Sequence, residues 1–134
     1  MAGVHFDFSN LKANIQLNIG IADRLDENRV ESFTILFCDF SKLSEDIITN
    51  SLEEVLRSSD SIITHEGYYF FVLPYTDKYG ANIVKKMFEE FFDISVASEV
   101  ISYPVDGEAP QELLTALQSK INQTHHYDME CLDS

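Results

Sequence analysis

The chain of 134 residues has the length of one domain, and its apolar fraction of 45% is too high for a disordered protein. Aspartate and glutamate outnumber lysine and arginine by 23 to 9, which gives a formal net charge of −14. Such an acidic surface repels phosphate backbones and anionic lipids, which argues against nucleic-acid-binding and membrane-surface proteins. We therefore expect the partner to be a protein with a basic face, or a small ligand in a locally basic pocket.

Cysteine usage and the N-terminal residues bear on location. Cys38 and Cys131 make neither a disulfide framework nor a zinc pattern, and Cys38 lies in an apolar run where a buried thiol is common. The first ten residues lack the basic start and apolar stretch of a secretory signal, and no run of about 18 apolar residues could span a membrane. We expect a cytoplasmic protein without a resident cofactor.

The first predicted elements are a short extended arm over residues 1–8 and then a helix. Ser9 is a good N-cap for this helix, which continues through residues 23–29. The apolar residues of 15–21 also alternate as they would in a strand. Helix is favoured because the segment that follows is rich in helix formers.

A central strand and a helical segment follow. Residues 33–40 form a nearly continuous apolar run of strand formers, which is typical of a strand buried on both faces. Residues 41–60 have helical spacing. Asn50 and Ser51 interrupt that spacing, and a division into two short helices is one interpretation.

A β-hairpin is predicted next, with strands at 61–64 and 68–74 joined by a turn at 65–67. Gly67 suits a turn position that requires a positive φ. The clearest helix prediction covers residues 77–92, whose apolar residues fall into two adjacent rows. These rows are Ile83, Met87 and Phe91, and Val84, Phe88 and Phe92.

The last predicted elements are a strand over 94–102 and a helix that opens at Pro110. The inward residues of this helix are Leu113, Leu114, Leu117 and Ile121. The resulting order, α-β-α-β-β-α-β-α, predicts an α/β (α+β) fold of the ferredoxin-like kind, a sheet with helices packed on it. We expect one domain over 1–124 and a flexible polar tail over 125–134.

Several short segments follow one another in a fixed order. They are F-S-N-L-K-A-N at 8–14, F-C-D-F at 37–40, R-S-S-D at 57–60, E-G-Y-Y-F at 66–70, F-F-V-L-P at 70–74, S-V-A-S at 95–98, Y-P-V-D-G at 103–107 and E-L-L at 112–114. In their order and spacing they resemble a GGDEF domain, the fold of the enzymes that make cyclic di-GMP. The resemblance covers about residues 8–121 and implies the central sheet of that family.

The resemblance also assigns positions of the active site. Asp39 stands where the family has a metal-binding aspartate, and Glu66, Gly67, Tyr68 and Tyr69 fall on the GGDEF signature. In the family, the acidic residues of the signature hold the metal and the attacking 3′-hydroxyl of the nucleotide. Here those positions are tyrosines. If the signature is aligned from Pro74 instead, the alignment moves by one residue, but a tyrosine still replaces the glutamate.

These departures predict the loss of catalysis. One carboxylate, Asp39, cannot hold two Mg²⁺ ions against a triphosphate. The segment after Asp39 is also shorter than in the family, and the Asn and Asp that recognise guanine lie in the missing stretch. We expect no cyclase activity.

Arg57 and Asp60 fit the family's RxxD inhibitory site, which binds cyclic di-GMP. Arginine can contact guanine or phosphate in a bidentate manner, and aspartate accepts from the guanine edge. The structural alternative is a solvated arginine at a helix end followed by a turn. A second arginine often completes such a pocket, and Arg24 or Arg29 could do so only if the fold brought it to Arg57.

The aromatic run at 68–71 suggests a different role. Alternate strand residues face opposite ways, so half of the run meets the core and half lies where a cyclase would bind substrate. Exposed tyrosines are good interface anchors, so Tyr68 or Tyr69 could contact a protein, the alternative being core packing on both faces. The predicted function is a catalytically inactive regulatory module that binds a protein, with a homodimer as one form and a cyclic di-GMP receptor as the alternative.

Two groups of residues contain the side-chain types that bind metals, but neither requires a metal to explain it. His65 and Glu66, near Asp39, are the polar residues of a hairpin turn. The histidines, acids and Cys131 within 125–131 match no zinc spacing. We predict no metal site.

Overall fold

A computed structural model describes residues 3–25, 31–125 and 132 of the chain. The elements in chain order are β1 (Val4–Phe6), a 3₁₀ turn (Phe8–Asn10), α1 (Leu11–Leu25), β2 (Phe33–Asp39), α2 (Glu45–Val55), β3 (Ser61–His65), β4 (Tyr68–Pro74), α3 (Lys78–Phe92), β5 (Ser98–Tyr103) and α4 (Pro110–His125). The predicted order of helices and strands is confirmed, with β1 added at its start. In this described part of the chain, no helix has the length and apolar character needed to cross a bilayer.

The strands form one sheet in the order β1-β3-β4-β2-β5. β2 pairs antiparallel with β4 and β5, and β3 pairs antiparallel with β4. These four strands with α2 and α3 make the ferredoxin-like arrangement, in which each helix connects strands that are not neighbours in the sheet. β1 extends the sheet by pairing parallel with β3, so the predicted arm is a strand that makes the sheet mixed.

Helices cover both faces of the sheet, and this explains why the run at 33–40 is apolar throughout. Side chains of β2 alternate between the two faces, so Phe33, Ile35 and Phe37 lie in one core while Leu36 and Cys38 lie in the other. The first core is closed by α1 and α4, and the second by α2 and α3. Burial raises the pKa of the Cys38 thiol, so this cysteine is an inert core residue.

Two helix predictions need correction. α1 begins at Leu11, because Ser9 lies within the 3₁₀ turn rather than at the cap. α2 is one continuous helix: Ser44 caps it by accepting from the Ile47 N–H at 3.4 Å. Ser51 does not break the helix because its buried hydroxyl donates to the Ile48 carbonyl at 2.7 Å. The predicted continuation of α1 beyond Leu25 lies outside the described residues.

The end of the chain also differs from the prediction. β5 begins at Ser98 rather than at residue 94. The boundary at 124/125 falls inside α4, whose His125 ring lies 3.0 Å from the Ser98 carbonyl and 3.2 Å from the Glu99 carboxylate. Leu132 is buried in the core beside α4, so the predicted tail does contribute to packing. The other predicted tail ligands, including Cys131, lie outside the described residues.

Candidate functional site

The sheet brings the predicted active-site positions together at one corner. Asp39 ends β2 and pairs directly with Tyr68 of β4, while Cys38 pairs with Tyr69. The hairpin that joins β3 to β4 lies at the same end, because His65 pairs with Tyr68. The corner therefore corresponds to the place where the resemblance puts the metal and the nucleotide.

The hairpin turn has two residues, and both have positive φ: 53° at Glu66 and 86° at Gly67. This is the type I′ geometry that matches the twist of the flanking strands. The Gly67 carbonyl accepts from the Phe40 N–H at 3.1 Å, and a Cβ at Gly67 would lie 2.9 Å from the Ser41 Cβ. The glycine is thus required both by its conformation and by the close approach of the segment after β2.

The two tyrosines of the corner point to opposite faces of β4. Tyr68 packs with the first core, its ring 5.7 Å from that of Phe37, and Tyr69 packs with the second, 5.0 Å from Phe40. Both side chains are half-buried. Burial, with a contribution from Glu45, raises the pKa of Tyr69, so its phenol is neutral at physiological pH and is a poor ligand for Mg²⁺.

Asp39 is held within its own loop. One carboxylate oxygen accepts from the Ser41 backbone N–H at 3.0 Å and from the Ser41 hydroxyl. The His65 ring stacks on Phe8 at a centroid distance of 4.4 Å, and its Nε2 lies 3.7 Å from Glu66. Across the described ranges, no three His, Cys, Asp or Glu side chains are grouped as they would be to hold a metal ion.

Arg57 and Asp60 are bonded to each other across a tight turn. One Asp60 oxygen accepts from the Arg57 backbone N–H at 2.8 Å, and the other accepts from the guanidinium at 2.9 Å. The same guanidinium nitrogen donates to the Pro74 carbonyl at 2.8 Å and to the Thr76 hydroxyl at 3.0 Å. The Asp60 side chain is 3% exposed, whereas that of Arg57 is 53% exposed. Asp60 therefore ties the turn together, and only Arg57 faces solvent.

A cavity of about 370 Å³ lies beside this pair. Its lining residues include three acidic ones, Glu31, Asp60 and Asp77, and one arginine, Arg57. Carboxylates outnumber the cation at this wall, which makes it an unfavourable environment for a ligand with two phosphates. Arg24 lies in the last turn of α1, and Arg29 is outside the described residues.

A second cavity, of about 380 Å³, was not foreseen from the sequence. We call it the α1–β1 groove because α1 and β1 supply most of its exposed apolar residues. The lining residues are Val4, Phe6, Asn14, Leu17, Asn18, Ile21, Ala22, Ser32, Phe33, Ser58, Ser59, Ser61, Pro74 and Tyr75. None of them is charged, although charged residues make up 24% of the chain. The groove is thus an apolar surface with neutral polar groups.

The sequence signal for this groove was the ambiguous alternation at 15–21. Ile15 and Ile19 face the core, and a helix cannot bury Leu17 and Ile21 on the same side. These two residues are 61% and 43% exposed and line the groove. Apolar residues on the side of α1 that does not face the core are therefore the signal in the sequence that indicates this groove.

No protein-family model and no curated protein matches the sequence. Among solved structures, the chain is similar to Vibrio cholerae LapD, in a structure of its S helix, GGDEF and EAL segments bound to c-di-GMP. The TM-score is 0.51 at 14% sequence identity, and the match covers 87% of this chain and 33% of the other. The chain thus spans about a third of that protein's length. The likeness shows a GGDEF-like fold.

Proposed function

We propose that the domain is a non-catalytic GGDEF-like regulatory module that acts by binding a protein. The α1–β1 groove carries this proposal, since it is a large apolar surface without charges on a protein with a net charge of −14. Contiguous exposed apolar surface of this kind is typical of protein interaction sites. The partner segment that fits it is apolar and uncharged.

The corner supports the absence of catalysis. Phosphoryl transfer with two Mg²⁺ ions requires several oxygen ligands that converge on the metals. Tyr68 and Tyr69 stand where the family has acidic residues, and each packs against an aromatic residue of the core. Asp39 is then the remaining carboxylate among the positions that the resemblance assigns to metal binding. Incubation with GTP and Mg²⁺ should yield no cyclic di-GMP, and any product would overturn this part of the proposal.

Protein binding is tested by affinity capture from cells of the source organism, with quantitative comparison of variants. Leu17→Asp places a charge in the groove and should reduce capture of a specific partner by at least about tenfold, the effect of one desolvated charge at an interface. Val105→Asp is the matched control, because Val105 is 52% exposed and does not line the groove. If the wild type and Leu17→Asp captured the partner equally, the α1–β1 groove would not be its binding site. If Tyr68→Ala or Tyr69→Ala abolished capture instead, the contact surface would be the corner.

Binding of cyclic di-GMP at Arg57 is the second candidate function. It is favoured by the half-exposed guanidinium, which belongs to a residue that lines a cavity, and by the similarity to LapD bound to c-di-GMP. The place of the motif also favours it, since Asp60 lies six residues before Glu66. The acidic wall of that cavity and the use of both Asp60 oxygens by Arg57 oppose it.

Calorimetric titration of the wild type with cyclic di-GMP is expected to show no saturable heat, because Glu31, Asp60 and Asp77 repel the phosphates. Saturable binding that Arg57→Ala abolishes and Arg24→Ala retains would establish the second candidate instead. Circular dichroism of Arg57→Ala must match that of the wild type, since this substitution also removes the bonds to Pro74 and Thr76.

A further inference from the structure

One row of apolar residues on α3 faces solvent along the whole helix. Tyr79, Ile83, Met87 and Phe91 follow at intervals of four residues and are 76%, 44%, 40% and 41% exposed. The row spans about 18 Å at 1.5 Å per residue. Ile94 continues it just beyond the helix and is 48% exposed. Single exposed apolar residues are ordinary, but a continuous row requires an explanation.

This outer row is not needed to hold α3 on the sheet. The adjacent inner row makes that contact: the Phe88 ring lies 5.2 Å from Phe71 and 5.3 Å from Phe40. Phe92 lies 5.1 Å from Phe40, and Phe88 is fully buried. The sequence predicted two apolar rows, and the structure shows that the inner one packs on the sheet while each residue of the outer one keeps at least 40% of its surface exposed.

The charge of α3 indicates what could cover the outer row. The helix has three lysines and two glutamates, in a chain whose net charge is −14. A basic partner is drawn to the acidic remainder of the surface rather than to this helix. A second copy of the chain, in contrast, meets the least repulsion here.

Two exposed charges next to the row make it self-complementary. Lys86 and Glu90 lie one turn apart on the same flank of α3, and both are exposed. When two identical helices pack antiparallel about a two-fold axis, each flank faces the same flank of the other helix. With Met87 on the axis, Lys86 lies near Glu90 of the partner subunit, and the same pair forms a second time by symmetry.

We propose that two copies of the chain associate through α3, packed antiparallel with Met87 at the two-fold axis. Ile83 then lies opposite Phe91 of the partner subunit, and the two pairs between Lys86 and the partner's Glu90 fix the orientation. The inference does not rest on the proposed function, because the α1–β1 groove is a different surface. A partner protein and a second copy could therefore bind at the same time.

Sedimentation velocity over a concentration series tests the proposal on the full chain. The wild type should show a reversible monomer–dimer equilibrium. Its dimer should strengthen as salt rises from about 10 mM to 150 mM, since screening reduces the repulsion between two acidic chains. Met87→Asp places two carboxylates at the axis and should raise the dissociation constant by more than tenfold. Leu17→Asp, in the groove, is the matched control and should leave the dimer unchanged. A wild type that stays monomeric at every concentration and salt overturns the proposal.

Charge reversal tests the orientation. Lys86→Glu and Glu90→Lys each create like-charge pairs across the axis and should weaken the dimer several-fold, whereas the double variant restores both pairs and should recover it. Both side chains are exposed, so the variants should fold normally, which near-ultraviolet circular dichroism will check. A dimer that is insensitive to Met87→Asp, or a double variant no better than the single ones, would place the interface elsewhere.

Discussion

Replacing Phe40 by alanine is expected to lower the free energy of unfolding by about 3–5 kcal/mol. Phe40 lies just after β2 and is 1% exposed. Its ring is 5.0 to 6.1 Å from four other rings, those of Tyr69, Phe71, Phe88 and Phe92. The substitution removes the centre of this cluster and leaves a cavity between the hairpin corner and α3, which the surrounding aromatic rings cannot fill.

The change should be measured by urea unfolding with fluorescence and circular dichroism as probes. Phe40→Leu is the control, because it keeps most of the volume and should cost less than about 1.5 kcal/mol. Tyr69→Phe keeps the ring at the edge of the same cluster and should have a smaller effect still. A loss below about 1 kcal/mol for Phe40→Ala would mean that the aromatic cluster is not packed as described.

The position of this cluster has a consequence for the corner. The Phe40 N–H donates to the Gly67 carbonyl, so the residue that anchors α3 also holds the hairpin turn. Phe40→Ala should therefore accelerate amide exchange at this turn more than at α4, which packs on the opposite face of the sheet. Where a cyclase would present charged ligands, this chain has an aromatic core that extends to the surface.

Replacing Asp60 by alanine should have the second largest effect, a loss of about 2–3 kcal/mol. Asp60 is buried, and its two oxygens accept from the backbone and the guanidinium of Arg57. Hydrogen bonds to a charged group contribute about 1.5–3 kcal/mol each. The contribution of the guanidinium is smaller than this because Arg57 is half exposed and solvent screens the pair.

The same turn supports β1. The Gly3 N–H donates to the Arg57 carbonyl at 2.9 Å, and the Val4 N–H donates to the Asp60 carbonyl at 2.9 Å. Loss of the Asp60 carboxylate should thus loosen the edge of the sheet as well as the turn.

Urea unfolding of Asp60→Ala and Arg57→Ala separates the structural role from a ligand-binding role. Arg57→Ala should cost about 1 kcal/mol or less, because the Arg57 backbone N–H still reaches Asp60 and the lost side-chain bonds are exposed. Asp60→Asn keeps one carbonyl acceptor, so its loss in the free energy of unfolding should lie between those of Asp60→Ala and Arg57→Ala. If Asp60→Ala unfolded at the same urea concentration as the wild type, Asp60 would not be structural and the RxxD role would gain support.

The GGDEF-like fold could be predicted because its signals are local or ordered along the chain. The apolar run at 33–40, the turn at Gly67 and the helical rows of 77–92 each follow from the physics of a single element. The replacement of the acidic signature residues by Tyr68 and Tyr69 could also be predicted, since the order of motifs places these two residues on the GGDEF signature. No family model matches the chain, yet its fold is similar to that of a solved GGDEF-containing structure at 14% identity. The order of the motifs and the hydrophobic periodicity of the elements thus indicate the fold even where sequence identity is low.

Other features were decided only by the tertiary structure. The residues of β1 were predicted only as an extended arm, and they become a strand of the sheet by pairing with β3, which is far along the chain. Ser51 was predicted to interrupt a helix, but α2 accommodates it because its hydroxyl donates a hydrogen bond to the Ile48 carbonyl. Leu132 lies in a polar segment and is nevertheless buried.

The α1–β1 groove and the outer row of α3, on which the two proposals rest, were also decided only by the tertiary structure. Periodicity identified the apolar residues of α1 and α3, but it could not show which rows another element covers. Leu17 of α1 and Met87 of α3 are exposed because no described segment packs over them, whereas Phe88, one residue further on, is fully buried. Arg57 and Asp60 could be seen as a motif, but not as a pair bonded to each other. The sequence by itself determined the elements and their order, and the tertiary structure decided exposure and pairing, because these depend on neighbours distant in the chain.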